Sequence, residues 1–250
     1  MGVNDVEQSV QRINERHRER SERFEIAFNQ IHSRLKKLGR KSRNNGFVDL
    51  LHQVSARHSL VKRFFDDLKQ FARLRNALVH EKMEANYYIA EPHQKVVEKI
   101  EEIADYLNSP PAATTIASSP VVTYGVFDSL EEVLKDAEQH SFSQFPVYDG
   151  QRFAYLLTKS GLISFMANHI NNGAVLVEDI KLKDVMKYQS DHNVAFADKN
   201  VDIFTLEDIF EDHYQDGHKL EAIILTENGS KTEEPISIVT TWDLIKIDLL

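Results

Sequence analysis

The 250-residue chain predicts an α+β protein of two domains, a helical bundle followed by a mixed strand-and-helix half built on an internal repeat. Three observations predict this. Apolar residues recur at three- and four-residue steps through the first 108 positions, as helices that bury one face require. The stretch 109–119, Ser-Pro-Pro-Ala-Ala-Thr-Thr-Ile-Ala-Ser-Ser, is small and proline-containing, which suits an extended linker. Beyond it, short apolar runs flank turns at Asp149-Gly150 and Asn228-Gly229, and the same order of segments returns after roughly 60 to 80 residues.

Composition narrows the chemistry. The chain has no cysteine, which excludes disulfides, thiolate metal sites and thiol nucleophiles. No apolar run approaches a membrane span, and the polar, acid-containing N-terminus does not look like a signal peptide, so a cytoplasmic protein is expected. The net charge of -9 is unevenly divided: through Pro110 there are 20 Lys+Arg against 16 Asp+Glu, giving +4, and the remainder has 10 against 23, giving -13. Only the front half suits a polyanion. The scattered glycines form no phosphate-cradling loop, and no serine sits on a glycine-flanked nucleophile elbow.

From Val3 to about Leu38 a long charged helix is expected, with a seam of Val6, Val10, Ile13, Phe24, Phe28, Ile31 and Leu35. Arg12, Arg16, Arg20 and Arg23 step along one flank beside Glu15, Glu19 and Glu22, the pattern of a solvated, salt-bridged face. The cations that follow are denser and less neutralised. Lys36, Lys37, Arg40, Lys41 and Arg43 are the candidate phosphate contacts for RNA, or else they dress a helix C-terminus closed by Gly39. A second helix over Phe47 to about Arg57 precedes a third that ends near Glu84, with a bend near His58. Pro92 fits the first turn of the last helix, whose buried side is Val96, Val97, Ile100, Ile103, Ala104 and Leu107. Four antiparallel helices joined by short loops make a bundle. His52, His58 and His93 lack partners at metal spacing, so no metal site is expected.

The third helix carries Leu74-Arg75-Asn76-Ala77-Leu78-Val79-His80-Glu81, which collects guanidinium, amide and imidazole at one helix end. Asn76 and His80 are four apart and share a face. Arg75 lies well round the cylinder and meets His80 only through its long side chain or across a twofold axis. In the alternative reading Arg75 pairs with a carboxylate and His80 caps the helix. With this motif inside four helices, the first 108 residues or so resemble the HEPN family. The resemblance implies a metal-independent endoribonuclease, active as a homodimer and needing no cofactor for catalysis. In it His80 would transfer the proton, Arg75 would stabilise transition-state charge and Asn76 would position one or the other.

In the second half, helical spacing over Ser129–Gln139 is followed by strands over Gln144–Tyr148 and Phe153–Leu157 and a helix over Leu162–Ile170. A helix over Ile203–Tyr214, strands over Glu221–Leu225 and Ile236–Val239, and a helix beginning near Trp242 repeat that order. Laid in register, Ala154 to Leu162 falls over Ile236 to Leu244. This repeat, with Phe145-Pro146-Val147-Tyr148-Asp149-Gly150 in the first copy and Leu182-Lys183-Asp184-Val185-Met186 leading into the second, resembles a tandem pair of CBS domains. The resemblance implies two βαββα repeats over 120–250, divided near 182, and an adenine nucleotide as regulatory ligand.

The ligand would sit where a Ser or Thr ends the last strand and an Asp follows three residues on. A hydroxyl and backbone N–H groups can meet phosphate there, and a carboxylate one turn away can accept from both ribose hydroxyls. Thr240 and Asp243 fit; Thr158 fits in the first copy, but Gly161 stands where the acceptor belongs. One site is therefore expected, with Val185, Met186, Val194 and Ala195 as walls for the base. Helix capping is the alternative role of Thr240 and Asp243. The acidic surround favours AMP or a cyclic dinucleotide over a triphosphate. The function expected is a nucleotide-controlled endoribonuclease acting on RNA, or a non-catalytic nucleotide sensor or nucleic-acid-binding protein.

Overall fold

The computed structural model describes residues 3–40, 46–80, 91–140 and 143–249, with only the backbone described at 3–7, 9, 10, 13, 14, 79, 80 and 140. The chain divides into two compact units, Met1–Pro111 and Ala112–Leu250.

The first unit is helical among its described residues. Helix α1 (Val3–Leu38) buries Phe24, Ala27, Phe28, Ile31, Leu35 and Leu38, a stripe at three- and four-residue steps. Gly39 ends it by donating its N–H to the Leu35 carbonyl at 2.8 Å. Val6, Val10 and Ile13 of the expected seam lie outside the described side chains. Helix α5 (Gln94–Asn108) answers that stripe with Val97, Ile100, Ile103, Ala104 and Leu107, all buried, and the two helices form the main contact of the unit. Each fully buried side chain of this size is worth about 1.5–3 kcal/mol over an exposed one. The N-cap of α5 is His93, whose ring nitrogen accepts from the Lys95 N–H, so Pro92 lies before the helix and not in its first turn.

Between them run α2 (Phe47–Ser55), α3 (Ser59–Arg63) and α4 (Phe65–His80). The expected bend near His58 is present, and a second break at Phe64 divides the helix that the sequence reads as continuous. The reason lies in two adjacent aromatics with different neighbours. Phe64 meets Tyr106 of α5 at 6.2 Å, whereas Phe65 meets His52 of α2 at 4.8 Å.

The second unit holds two three-stranded sheets of identical topology. In the first, β1 (Tyr124–Gly125) pairs parallel with β2 (Gln144–Asp149), which pairs antiparallel with β3 (Arg152–Thr158). Helix α6 (Leu130–His140) connects β1 to β2, and α7 (Lys159–His169) follows β3. In the second, β4 (Val194–Asp198) pairs parallel with β5 (Ala222–Thr226), which pairs antiparallel with β6 (Ser237–Thr240). Helix α9 (Ile203–Gln215) connects β4 to β5, and a 3-10 helix over Asp243–Leu249 follows β6 where an α-helix is expected.

The repeats are interlocked at their beginnings. The segment expected to be a linker is drawn into this unit: Ala113 donates to the Val201 carbonyl, Ser118 exchanges backbone hydrogen bonds with Ile238, and Ala113 and Ile116 are buried. Conversely, α8 (Leu182–Val185), the lead-in to the second repeat, places Leu182 and Val185 in the core of the first beside Phe145, Val147 and Phe165. The Tyr155 hydroxyl donates to the Leu182 carbonyl at 2.7 Å, and burial raises the pKa of this phenol.

Candidate functional site

The two strand-to-helix turns are where the repeats can be compared atom by atom. At the end of β6, Thr240 donates both its N–H (2.7 Å) and its hydroxyl (2.9 Å) to Asp243 Oδ2. The other carboxylate oxygen accepts from Lys246 Nζ at 2.7 Å and from the Ser118 hydroxyl at 3.4 Å. Lys246 also donates to the Ile116 carbonyl at 2.9 Å, so residues from the start of the unit close this turn. Asp243 is only 6% exposed. Its burial by itself would raise the carboxyl pKa, but Lys246 and the two donors of Thr240 outweigh it, and the pKa is held below the ordinary value.

Beside this turn lies a cavity of about 260 Å³, bounded by Ser118, Val121, Val122, Ile238, Thr240 and Asp243 among others. Trp242, 77% exposed, stands at its rim. Apolar walls on one side and a charge-bearing turn on the other suit a flat base joined to a polyol.

Thr240 and Asp243 are therefore together, but the expected walls are elsewhere. Val185 is fully buried in the first repeat's core. Met186 and Val194 bound a different cavity, about 210 Å³, with Arg152, Leu156, Gln189 and Lys231, and Ala195 lies within β4. Strand register explains the difference. Gln144 pairs with Thr158 and Ala222 with Thr240, which makes Val147 and Leu225 equivalent; their parallel partners are Tyr124 and Ala197. Counting back, Val121-Val122 are the first-repeat equivalents of Val194-Ala195. The second repeat's turn is thus walled by the opening strand segment of the first, Val121 and Val122, in place of its own Val194 and Ala195.

Residues 113–168 match the CBS domain family model. With the same β-α-β-β order in both halves, the second unit is CBS-pair-like. Solved structures similar to the chain include the CBS domain of a CBS-domain-containing membrane protein from Sphaerobacter thermophilus, at 22% identity over 61% of this chain and 97% of that one, TM-score 0.44. A second is a signal-transduction protein with CBS domains from Burkholderia ambifaria, at 13% identity over 54% and 92%, TM-score 0.41. A third is the CBS domain pair of protein MJ0100 in complex with 5'-methylthioadenosine and S-adenosyl-L-methionine, at 14% identity over 55% and 94%, TM-score 0.41. No curated protein matches the chain.

In the first CBS-like repeat Thr158 caps α7, accepting from the Gly161 N–H at 3.1 Å. The donors of Thr158 do not turn to its own helix. Its N–H and its hydroxyl both reach Gln189 Oε1, at 3.0 Å each. Sequence reasoning missed Gln189, a polar residue 31 positions downstream of Thr158 in an unmarked loop; its one signal is the glycine at 161.

In the helical unit, Arg75 is half-buried with its guanidinium 5.9 Å from the centre of the Phe28 ring, and Asn76 is exposed. The His80 side chain lies outside the described residues, so the meeting of Arg75 and His80 remains an expectation of the sequence. Lys36 and Lys37 are exposed in the last turn of α1, and Arg40 accepts at its carbonyl from Gln53 Nε2; Lys41 and Arg43 lie outside the described residues. Of the arginine row on α1, Arg23 makes a bidentate pair with Glu101 (2.8 and 2.7 Å), and Arg20 and His17 share Glu91. Arg20 and Arg23 are thus paired with carboxylates as expected, but with Glu91 and Glu101, before and within α5, and not with Glu15, Glu19 and Glu22 of their own helix. Among the described residues no three His, Asp or Glu side chains gather as a metal site, and no helix is long and apolar enough to cross a membrane.

Proposed function

We propose that the chain is a regulatory protein that senses an adenine nucleotide, AMP or a cyclic dinucleotide, at the second repeat's turn. CBS domains are adenine-nucleotide-sensing regulatory modules, and the family match covers residues 113–168. The observation that carries the reading is the grouping of Thr240 and Asp243 with an apolar-walled cavity of about 260 Å³. The base packs between Val121, Val122 and Ile238. The ribose hydroxyls donate to Asp243 Oδ1, taking the place of Lys246 and Ser118, both of which hold that oxygen in the unliganded geometry. Lys246, half-exposed, is then free to meet the phosphate. A single cation beside a unit of net charge -13 beyond Pro110 (10 Lys+Arg against 23 Asp+Glu) favours a monophosphate over a triphosphate.

The helical unit is the output in this reading, passing the liganded state to a protein or RNA partner. The endoribonuclease reading, with Arg75, Asn76 and His80 in a homodimer, rests on the motif alone and stands second.

A thermal-shift panel tests the proposal. AMP raises the melting temperature of the full chain in a dose-dependent way, ATP does so less, and Asp243→Asn responds to neither. A shift of equal size in Asp243→Asn overturns the assignment of the site.

A further inference from the structure

The first repeat's turn carries its own ligand-like group. Thr158 N–H and Oγ meet Gln189 Oε1 in the first repeat as Thr240 N–H and Oγ meet Asp243 Oδ2 in the second. The residue three positions after the threonine is a glycine in the first case and the aspartate in the second. A Cβ built on Gly161 would lie 1.9–2.1 Å from the Gln189 amide, well inside any real contact. At Gly39, Gly125, Gly150, Gly173, Gly217 and Gly229 an added Cβ would meet nothing nearer than 3.0 Å. Gly161 has an ordinary helical backbone and no turn geometry to satisfy, so what the glycine supplies is space, and the amide fills it. Gln189 follows the 3-10 turn Met186–Tyr188 in the segment that joins α8 to β4, and its side chain reaches the first repeat's turn from there, as the Ser118 hydroxyl reaches Asp243 in the second.

We infer that Gln189 is a tethered occupant of the first repeat's turn, standing in for a ligand-facing carboxylate, and that Gly161 and Gln189 form a matched pair that makes the CBS-like unit a one-site receptor. The consequence for ligand count rests on the nucleotide reading above; the pairing itself does not. Its logic is steric and polar together. Any side chain at 161 expels the amide and leaves the Thr158 N–H and hydroxyl without their acceptor, while a carboxylate at 161 would replace it. Because an amide does not titrate, this turn stays closed at pH values where a carboxylate-closed turn loosens.

A double-mutant cycle on the full chain tests the pairing without any ligand. Gln189→Ala lowers the melting temperature by about 2–4 °C in the native background, as loss of one acceptor shared by two donors in a chain of this size implies. In a Gly161→Ala background, where the amide is already expelled, the same substitution has little further effect. Equal losses in both backgrounds overturn the pairing. Gly161→Asp combined with Gln189→Ala rebuilds the pattern of the second repeat, and calorimetric titration with AMP then finds two sites per chain against one in wild type. A count that stays at one in the rebuilt chain while wild type binds one overturns the one-site inference. Failure of wild type to bind AMP at all overturns the nucleotide reading, and the ligand-free cycle still decides whether Gln189 and Gly161 are coupled.

Discussion

The two turns of the CBS-like unit solve one local problem with different chemistry. Each must satisfy a threonine N–H and hydroxyl at the point where a strand ends and a helix begins. The second repeat does so from within, with Asp243 three residues on, and then needs Lys246 and Ser118 to balance the buried carboxylate. The first repeat does so from a distance, with the neutral amide of Gln189, and needs only a glycine to make room. A charged closure can be opened by anything that competes for its counterion; a neutral, tethered one cannot. The difference teaches that repeats of the same topology need not close their turns alike, and under the nucleotide proposal the second turn is the responsive one.

The largest blow to this arrangement comes from the interlock. Leu182→Ala removes a fully buried side chain that the second repeat lends to the first repeat's core, and a loss of about 2–5 kcal/mol in chemical unfolding is expected. A loss below about 1 kcal/mol would mean that the repeats do not share a core. Next in size, Thr158→Val deletes a hydroxyl that both donates to Gln189 and caps α7, at about 0.5–2 kcal/mol, and Thr240→Val deletes one hydroxyl donor, at about 0.5–1.5 kcal/mol; only Thr240→Val should also weaken the response to AMP.

Acid separates the turns further. The folded-state pKa of Asp243 is depressed, so its contribution is present above the unfolded carboxylate value of about 3.9 and is lost as pH falls through the lower folded value. Amide hydrogen exchange at Thr240 should therefore speed up in acid, relative to intrinsic rates, before exchange at Thr158 does. Glu233, in the loop between β5 and β6, is a second carboxylate with a depressed pKa, held near about 2 by the side chain and N–H of Asn228 and by further donors. Glu233→Gln serves as the control that leaves the order of the two turns unchanged. The smallest effect is expected in the helical unit: Arg23→Ala breaks a part-exposed pair with Glu101 and should cost at most about 1 kcal/mol. A ribonuclease assay in EDTA addresses the second reading, in which wild type cleaves single-stranded RNA and His80→Ala does not.

Much of this molecule is legible in its sequence because periodicity reports burial. The stripe from Phe24 to Leu35, the apolar face of α5 and the strands flanking Asp149-Gly150 all follow from spacing. The pair Thr240 and Asp243 is visible because a three-residue step is a local relation. What escaped is long-range or very short. β1 is two residues and carries no pattern of its own. The wall of the second turn comes from Val121 and Val122 because the repeats exchange their opening segments, and register within one repeat cannot reveal a swap between two. The stretch 109–119 reads as a linker because composition reports flexibility in isolation, while Ala113 and Ile116 owe their burial to the second repeat. Gln189 is the extreme case, a neutral side chain whose importance exists only through a glycine 28 positions earlier.

The most direct measurement of the central claim is a calorimetric titration of AMP into the full chain and into Asp243→Asn. One bound AMP per wild-type chain and no heat of binding in the variant are expected. Equal binding by both proteins would contradict the claim.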